Sequence, residues 1–429
     1  MKEFANQLKT DKKICFLHSV KGGKSILAID PKATFSGNNL DEFKKFVDKH
    51  LGCLLVGYLS YDLAYQLHNV KQTAQNDLKL PMIQFHAFED FIEFEGEDED
   101  SQNCDAKRLG GFAGTVSAEG GRAKPREGTP NGVPVCESRL PRWGKRPRLC
   151  SQSCDSSASI KSNFQKEISK EEYERAFEKI QKHITEGDIY QINLTHRLKK
   201  KTKTPPRELF LEVIKENPVN FSAYMEGDGF EILSASPERF VKIENGKIET
   251  CPIKGTRPRG KTQKEDEENK KSLMESEKEA AELNMITDLL RNDLGKVCEI
   301  GSVKVEGHRI IQKCPTVWHT YSKITGKLRI PPLEAIISML PGGSITGCPK
   351  KRAIEIIDEI EPVSRGVYTG IIGYISPDQK TMDFSIAIRT LIKKNKIVYL
   401  QVGGGIVADS KKDEEFKETM DKARSFFNI

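Results

Sequence analysis

Apolar runs typical of β-strands dominate the first 95 residues of the chain. Four of them, at 14–17, 25–29, 54–63 and 81–95, predict strands, because side chains alternate between the two faces of a strand. Residues 39–50 instead carry apolar positions at helical spacing and predict one short amphipathic helix. This part is therefore expected to form one half of a sheet-based core.

A second ordered pattern runs from Ser169 to the C-terminus. Ser169 and Glu172 predict a capping box at the start of a helix that ends at Gly187. Helices and hairpins then follow without regular strand–helix–strand alternation, which favours an α+β fold over a doubly wound sheet. Further helices are predicted at 205–216, 260–294 (stopping at Gly295), 332–339, 349–360 and 412–427, and strands at 189–198, within 221–250, and at 303–305, 317–323, 368–375, 383–392 and 397–402.

Residues 96–164 interrupt this pattern. They are rich in Gly, Pro, Arg and Ser and have almost no periodic apolar positions, so they cannot bury enough surface to offset the entropy lost on ordering. We therefore predict an N-terminal part of the sheet core at 1–95, a disordered insert at 96–164, and the larger part of the core at 165–429.

Composition and charge narrow the class of protein. With 37% hydrophobic and 30% charged residues, the chain is typical of soluble globular proteins, and no apolar run approaches the roughly 18 to 20 residues of a membrane span. The N-terminus has no apolar signal core and the ten cysteines are scattered, which predicts a cytoplasmic protein with reduced thiols. Residues 101–161 carry 11 Lys or Arg and 5 Asp or Glu, which accounts for the net charge of +6, so the body of the chain has no basic bias towards nucleic acid.

Two pairs of glutamates have a spacing that suits a metal site. Glu279 and Glu282 lie three residues apart on one predicted helix, and Glu415 and Glu418 repeat that spacing on the last helix. If the two helices converge, four carboxylates could surround Mg²⁺, a cation that prefers oxygen ligands and keeps several waters. Two solvated helix faces would explain the same pairs.

Glycine turns and single polar residues add candidates for anion binding. Gly403 to Gly405 precede the last helix, and amides at a turn before a helix N-terminus can hold a carboxylate, although a tight hairpin would also need glycines. Arg389 is predicted on an apolar strand, where a charge needs a partner. His319 follows Trp318 and could also be a packed structural histidine.

The stretch PIKGT at 252–256 places Lys254 on a predicted turn at the edge of a sheet, just before a long charged helix. The chain has 68 Lys and Arg, so a solvated surface lysine is the alternative interpretation.

Five motifs occur in the order found in the chorismate-utilising enzymes, and this region of the chain, from Ser169 onwards, is similar to that family. Weaker similarity, at GY (57–58) and YDL (61–63), extends into the N-terminal part. The motifs are PIKGT (252–256), AE (281–282) leading into MITDLLRND (285–293), GGSITG (342–347) with PK (349–350), RGVYTG (365–370) and GGGIV (403–407).

The resemblance implies a fold of two antiparallel β-sheets packed face to face and flanked by helices, with a chorismate-binding catalytic domain at 165–429. It implies that Glu282 and Glu418 bind Mg²⁺, with Glu279 and Glu415 supporting through water, and that the metal holds the ring carboxylate of chorismate. Positions expected to hold the enolpyruvyl carboxylate or otherwise to line the site are Gly403, Gly405, Arg389, Tyr368, Lys422, His319, Thr256 and Thr346.

Two positions bear on which reaction follows from the resemblance. Gln191 stands where isochorismate-forming and salicylate-forming members carry a lysine that activates water, and an amide cannot act as that base. Lys254 stands where anthranilate synthases carry alanine. In members that make 4-amino-4-deoxychorismate, such a lysine, in its neutral form, is thought to attack C2 and expel the C4 hydroxyl before ammonia enters at C4.

The resemblance also implies partners. Ammonia is expected from a separate glutamine amidotransferase subunit, because no cysteine lies in a convincing nucleophile motif, and a separate lyase is expected to convert the product. Anthranilate synthesis remains the alternative reaction, and a chorismate-binding protein without catalysis is a third interpretation.

Overall fold

The computed structural model describes four segments of the chain. They are residues 10–19, 24–95, 163–314 and 317–429. The predicted insert at 96–164 lies outside them except for its last two residues, so its disorder and the predicted domain boundaries stay predictions.

Two large antiparallel sheets form the framework. Sheet one has the strand order β16-β8-β20-β19-β10-β9-β1-β2-β6, with β7 paired to β8. Its strands are β1 Ile14–His18, β2 Lys24–Ile29, β6 Phe91–Glu95, β7 Gln165–Lys166, β8 Gln191–Lys201, β9 Phe221–Glu226, β10 Phe230–Ser236, β16 Gly347–Cys348, β19 Thr390–Lys394 and β20 Ile397–Ile406.

Sheet two has the order β13-β15-β12-β11-β18-β17-β4-β5-β3, with β14 paired to β15. Its strands are β3 Ala33–Gly37, β4 Leu54–Leu59, β5 Ile83–Phe88, β11 Arg239–Glu244, β12 Lys247–Thr250, β13 Ile253–Pro258, β14 Lys304–Lys313, β15 Val317–Lys327, β17 Ile371–Ile375 and β18 Thr381–Ile386. The α-helices are α1 Leu40–Lys49, α2 Leu63–Leu67, α3 Lys170–Thr185, α4 Pro206–Glu216, α5 Gln263–Glu275, α6 Glu277–Val297, α7 Pro332–Met339, α8 Lys350–Ile360 and α9 Lys412–Ala423.

Apolar side chains from both sheets meet in one buried cluster, so the sheets pack face to face. Ile26 and Met225 of sheet one and Val56 and Ile372 of sheet two belong to it. Helices cover the outer faces: α4 packs on sheet one, and α1, α6 and α7 pack on sheet two. The predicted α+β fold of two antiparallel sheets flanked by helices is confirmed.

In both sheets, the strands from the N-terminal part of the chain lie at one end of the strand order. Strands from the first 95 residues occupy one end of each sheet, β1, β2 and β6 in sheet one and β4, β5 and β3 in sheet two. The opposite ends are formed by β8 and β20 in sheet one and by β13 and β15 in sheet two. Later parts of the chain thus build one end of the molecule by themselves.

Two predicted strands are each divided between the sheets, so those predictions were wrong. The segment 81–95 forms β5 in sheet two and β6 in sheet one, because the exposed pair Glu89 and Asp90 makes a corner. The segment 383–392 forms β18 and β19, and the chain crosses between the sheets at 387–389. The parts of the chain before and after the crossing at 387–389 are both apolar, so the pattern of apolar residues does not show where the chain changes sheet.

The predicted helix at 260–294 is also two elements. Ser276 has extended backbone, and its hydroxyl accepts a hydrogen bond from the amide of Glu279, which starts α6 as a new helix. That helix runs past Gly295 to Val297, since glycine alone does not end a helix whose apolar face is packed. Because of this break, the direction of α6, which carries Glu279 and Glu282, is not fixed by the charged helix α5.

Within the described residues, no helix is both long enough and apolar enough to cross a membrane.

Candidate active site

A cavity of about 540 Å³ lies at the end of the molecule built by β8, β20, β13 and β15. We call it the main cavity. It is lined by every predicted site residue except Gln191 and Thr346. The predicted residues in its lining are Lys254, Thr256, Glu279, Glu282, His319, Tyr368, Arg389, Gly403, Gly405, Glu415, Glu418 and Lys422.

Carboxylates from two helices form one wall of the main cavity. Glu279 of α6 accepts a hydrogen bond from Arg257 at 2.5 Å, and Glu415 of α9 accepts one from the Ser410 hydroxyl at 2.7 Å. The second oxygens, Oε2 of Glu279 and Oε2 of Glu415, are buried and have no hydrogen-bond partner among the described residues. Buried carboxylate oxygens without partners are costly, and burial raises the pKa of Glu415. A hard cation with its waters would satisfy them.

The spacing of these carboxylates fits an open site rather than a closed one. Among the described residues, the glutamates do not bring three ligand atoms within 4.8 Å of one another; the group that does so is His183, Glu186 and Asp188. That group lies elsewhere, and Asp188 is already paired with Arg352. Mg²⁺ keeps several waters and binds through one or two carboxylates, so the donor set of the main cavity suits it.

Lys254 faces this wall from an edge strand, not from the predicted turn. It lies in β13, opposite Thr320, and the register shifts between Lys254 and Thr256. Its side chain is 19% exposed, and its Nζ lies 3.9 Å from Glu282 Oε2. The shift depends on Gly255, which has a φ of +84° and would place a Cβ only 2.5 Å from Glu279 Oε2. The local bulge thus presents the amine to the cavity.

The glycines at 403–405 lie inside β20, so the predicted turn was wrong there as well. β19 pairs with β20 only as far as Leu400, which leaves the next residues bordered by a strand on one side only, β8. A Cβ on Gly405 would lie 2.7 Å from Gln191 Nε2 and 3.8 Å from Lys254 Nζ, and one on Gly404 would lie 3.3 Å from Glu415 Oε2. These glycines therefore keep space open around both the lysine and the carboxylates.

Arg389 supplies an unpaired positive charge. It is not in a strand as predicted; it ends the crossing at 387–389 with a φ of +50°. Among the described residues no acceptor binds its guanidinium, and burial lowers its pKa. A buried cation without a partner in a cavity is suited to bind a carboxylate.

Neighbouring polar groups complete that side of the cavity. His319 Nδ1 and the Thr256 hydroxyl lie 2.9 Å apart, and burial, with Arg389 nearby, lowers the pKa of His319. The imidazole is therefore neutral at ordinary pH and can share a hydrogen bond without adding charge.

Glu238 was missed by the sequence analysis. It lies between β10 of sheet one and β11 of sheet two, so it ends a second crossing, and both crossings line the main cavity. The side chain is 8% exposed and accepts a hydrogen bond from the Ser344 hydroxyl at 2.8 Å. Burial raises the pKa of Glu238 to about 7, against the opposing effect of Lys254 and Lys422. The group can therefore hold and release a proton near neutral pH.

Two predicted site residues lie outside the cavity lining. Gln191 is buried behind Gly405, and its Oε1 has no hydrogen-bond partner among the described residues. Thr346 is fully buried, and its hydroxyl donates to the carbonyl of Gly342 at 2.8 Å, so it fixes the turn instead of facing the cavity.

Comparisons with known proteins identify the family. A family model described as chorismate binding enzyme matches residues 11–428. The chain is 36% identical to anthranilate synthase component 1 3 of Haloarcula marismortui, covering 87% of this chain and 72% of that protein, and 32% identical to aminodeoxychorismate synthase component 1 of Bacillus subtilis, covering 99% and 93%. The solved structure of anthranilate synthase component I from Streptococcus pneumoniae TIGR4 matches with a TM-score of 0.73 and 26% identity, covering 99% of this chain and 96% of that one.

Proposed function

The chain belongs to the family of chorismate binding enzymes, and from this premise we propose that it is component I of an aminodeoxychorismate synthase. In this proposal it converts chorismate and ammonia into 4-amino-4-deoxychorismate and water. The observation that carries the proposal is the position of Lys254, whose amine faces the carboxylate wall of the main cavity beside Gly405. Relatives of both named activities have similar identity, so overall similarity does not separate the two reactions, and the proposal depends on this residue.

Substrate binding uses the two opposite sides of the main cavity. The unpaired guanidinium of Arg389 binds the enolpyruvyl carboxylate, supported by Tyr368 and by the main chain of Gly403 and Gly405. Glu279, Glu282, Glu415 and Glu418 would hold Mg²⁺, which, when bound, supplies the positive charge that fixes the ring carboxylate. The substrate ring then lies between the two anchors, within reach of Lys254.

The chemistry needs one nucleophile and one acid. The free amine of Lys254 attacks C2, the two conjugated double bonds of the ring each shift by one position, and the bond between C4 and its hydroxyl breaks. Protonated Glu238 donates a proton to that hydroxyl, which leaves as water. Ammonia then attacks C4, the bond between Lys254 and C2 breaks, and the excess proton returns to Glu238.

Partners follow from this reaction. Ammonia comes from a separate glutamine amidotransferase subunit, and the product passes to a separate aminodeoxychorismate lyase on the way to 4-aminobenzoate and folate. The second candidate function is anthranilate synthase component I, which the 36% identity to the Haloarcula protein favours. Water addition at C2, as in isochorismate formation, is disfavoured, since Gln191 is an amide at the position where members with that activity carry a lysine.

Product identification tests the proposed function. The purified chain is incubated with chorismate, magnesium chloride and ammonium chloride, and the products are separated by chromatography and identified by mass. We expect 4-amino-4-deoxychorismate and no pyruvate. Release of pyruvate with a fluorescent 2-amino aromatic acid would replace the proposal by anthranilate synthesis, and an absence of any aminated product would reject both.

Glu238→Gln is expected to lower kcat about a hundredfold or more, because the amide cannot donate the proton. In the wild type, kcat should fall as pH rises through about 7, the pKa of Glu238, and the variant should lack this alkaline limb. A pH–rate profile of both proteins measures it. Glu231→Gln, at a half-buried carboxylate outside the main cavity, is the control and should keep the wild-type profile.

The same substitution has an opposite effect on stability. The pKa of Glu238 is raised in the folded protein from 4.5 to about 7. Its contribution to the free energy of unfolding is therefore favourable at low pH and is lost as pH rises through 7. Gln does not ionise, so the variant should be more stable than the wild type at pH 8.5 by about 2 to 3 kcal/mol, with little advantage at pH 5. Denaturant unfolding of both proteins at the two pH values measures this. If the free energies of unfolding of variant and wild type differed equally at both pH values, the assigned burial of Glu238 would be wrong.

A further inference from the structure

A second cavity of about 470 Å³ lies next to the main cavity. We call it the side cavity. Gln401 lines both cavities. The side cavity is bordered by β8 and by the segment after α8, and its lining includes Asp77, Glu167, Thr195, Arg197, Glu361 and Gln401.

Strand register places the two cavities along one face of sheet one. Gln401 lies opposite Arg197, and Gly403 lies opposite Thr195. Opposed residues of antiparallel strands face the same way, and so do residues two apart in one strand. Thr195 and Gln401 therefore stand side by side where the side cavity meets the main cavity, with Gly403 next in line.

The junction holds a buried polar group with no partner. Thr195 is 2% exposed, and its Oγ1 makes no hydrogen bond to any described residue, although its backbone amide donates to Glu361 at 2.9 Å. An unsatisfied buried hydroxyl is unfavourable, and a small donor or acceptor that passes the junction would pair with it. The side-chain amide of Gln401 offers a second polar contact at the same point.

The carboxylates and the guanidinium that line the side cavity are already paired, while Lys166, at its exposed rim, lies over the ring of Phe416. Arg197 Nη1 donates to Asp77 at 3.0 Å, and Nε of the same guanidinium donates to Glu167. Glu361 binds Arg365 at 2.7 Å. The main cavity, in contrast, presents Arg389 without a partner and suits an anion. The side cavity therefore does not concentrate a carboxylate, and its free groups suit a small uncharged molecule that donates and accepts hydrogen bonds.

We propose that the side cavity is the entry path for ammonia, which passes Gln401 and Thr195 to reach the substrate in the main cavity. This inference rests on the proposed function, since that reaction needs a neutral nitrogen nucleophile besides chorismate. Ammonia is uncharged, donates and accepts hydrogen bonds, and is small enough to pass between two side chains. With chorismate in the main cavity, this path lets the second reactant arrive from beside the substrate.

Two substitutions at the junction test the path with ammonium chloride as the nitrogen source. Thr195→Val removes the hydroxyl at nearly constant volume and should raise the KM for ammonium about three- to tenfold. Thr195→Leu adds bulk and should raise it further. Neither should change kcat at saturating ammonium or the dissociation constant of chorismate measured by calorimetry. Thr287→Val is the matched control, because it removes another buried threonine hydroxyl that has no partner among the described residues, lines neither cavity, and should leave both KM values unchanged.

The outcomes separate this inference from the proposed function. If the wild type forms no aminated product, the proposed function fails and the path fails with it. If the wild type forms the product and both variants keep the KM for ammonium, ammonia enters elsewhere and the inference alone is rejected. A parallel loss of chorismate affinity would also reject it, since Thr195 would then belong to the substrate site.

Discussion

With Lys254 replaced by alanine, formation of 4-amino-4-deoxychorismate is expected to fall by about a thousandfold or more, while chorismate still binds. The amine is the proposed nucleophile, and no other described side chain places an amine beside Gly405. Because direct attack of ammonia at C2 remains open to the variant, a trace of 2-amino product is the expected residual reaction. Chromatography of the products and calorimetry with chorismate measure the two effects.

Lys254→Met is the decisive companion variant, since it keeps the apolar stem and removes only the amine. Lys323→Met is the matched control, because Lys323 lies on β15 with Glu249 and Glu306 as partners and does not line the main cavity. If both variants at 254 still make the 4-amino product within tenfold of the wild type, Lys254 is a bystander. Amination at C4 would then proceed without a bond between Lys254 and C2, and the proposed nucleophile would be rejected.

Removing Glu282 or Glu418, the two glutamates expected to bind the metal directly, should be almost as damaging. In Glu282→Gln and in Glu418→Gln we expect activity to fall by about a thousandfold, with Mg²⁺ no longer bound at millimolar concentration in the presence of chorismate. An amide has no charge and is a weak ligand for a hard cation, and the ring carboxylate would then face the remaining glutamates without compensation. Activity against magnesium concentration and calorimetric titration of magnesium chloride give independent readouts.

Controls for this prediction lie on the same two helices. Glu277→Gln and Glu414→Gln change exposed residues that point away from the main cavity, and both should bind Mg²⁺ normally. If the Glu282 and Glu418 variants also bind Mg²⁺ as tightly as the wild type, the carboxylate wall has another role, and the metal assignment is wrong.

Much of the site could be predicted because its residues lie in elements with local signals. The spacing of Glu279 and Glu282 places both on one helix face whatever the tertiary structure is. Lys254 was assigned by its motif, but its local structure was not predicted. The predicted turn is an edge strand, and a β-bulge at Gly255 exposes the lysine to the cavity in place of a turn. Local sequence therefore predicted which residues line the main cavity better than it predicted their local backbone structure.

The residues that were misplaced or missed share one cause. Glu238 and Arg389 lie where the chain crosses from one sheet to the other, and neither crossing interrupts the apolar pattern. Whether a strand continues or changes sheet is decided by pairing with strands distant in sequence, so a single window of residues does not contain the information. A short polar step such as Ser236 to Glu238 between apolar runs is the signal that could have located one crossing.

The separation of the two ends of the sheets has a consequence for how variation in this protein would act. Strands from the first 95 residues lie at the end opposite to the main cavity, and none of the residues described there lines it. They nevertheless supply much of the core between the sheets. A harmful substitution in that region would reduce the amount of folded enzyme in a cell and leave the turnover of each surviving molecule intact, a defect that higher expression or lower growth temperature would relieve.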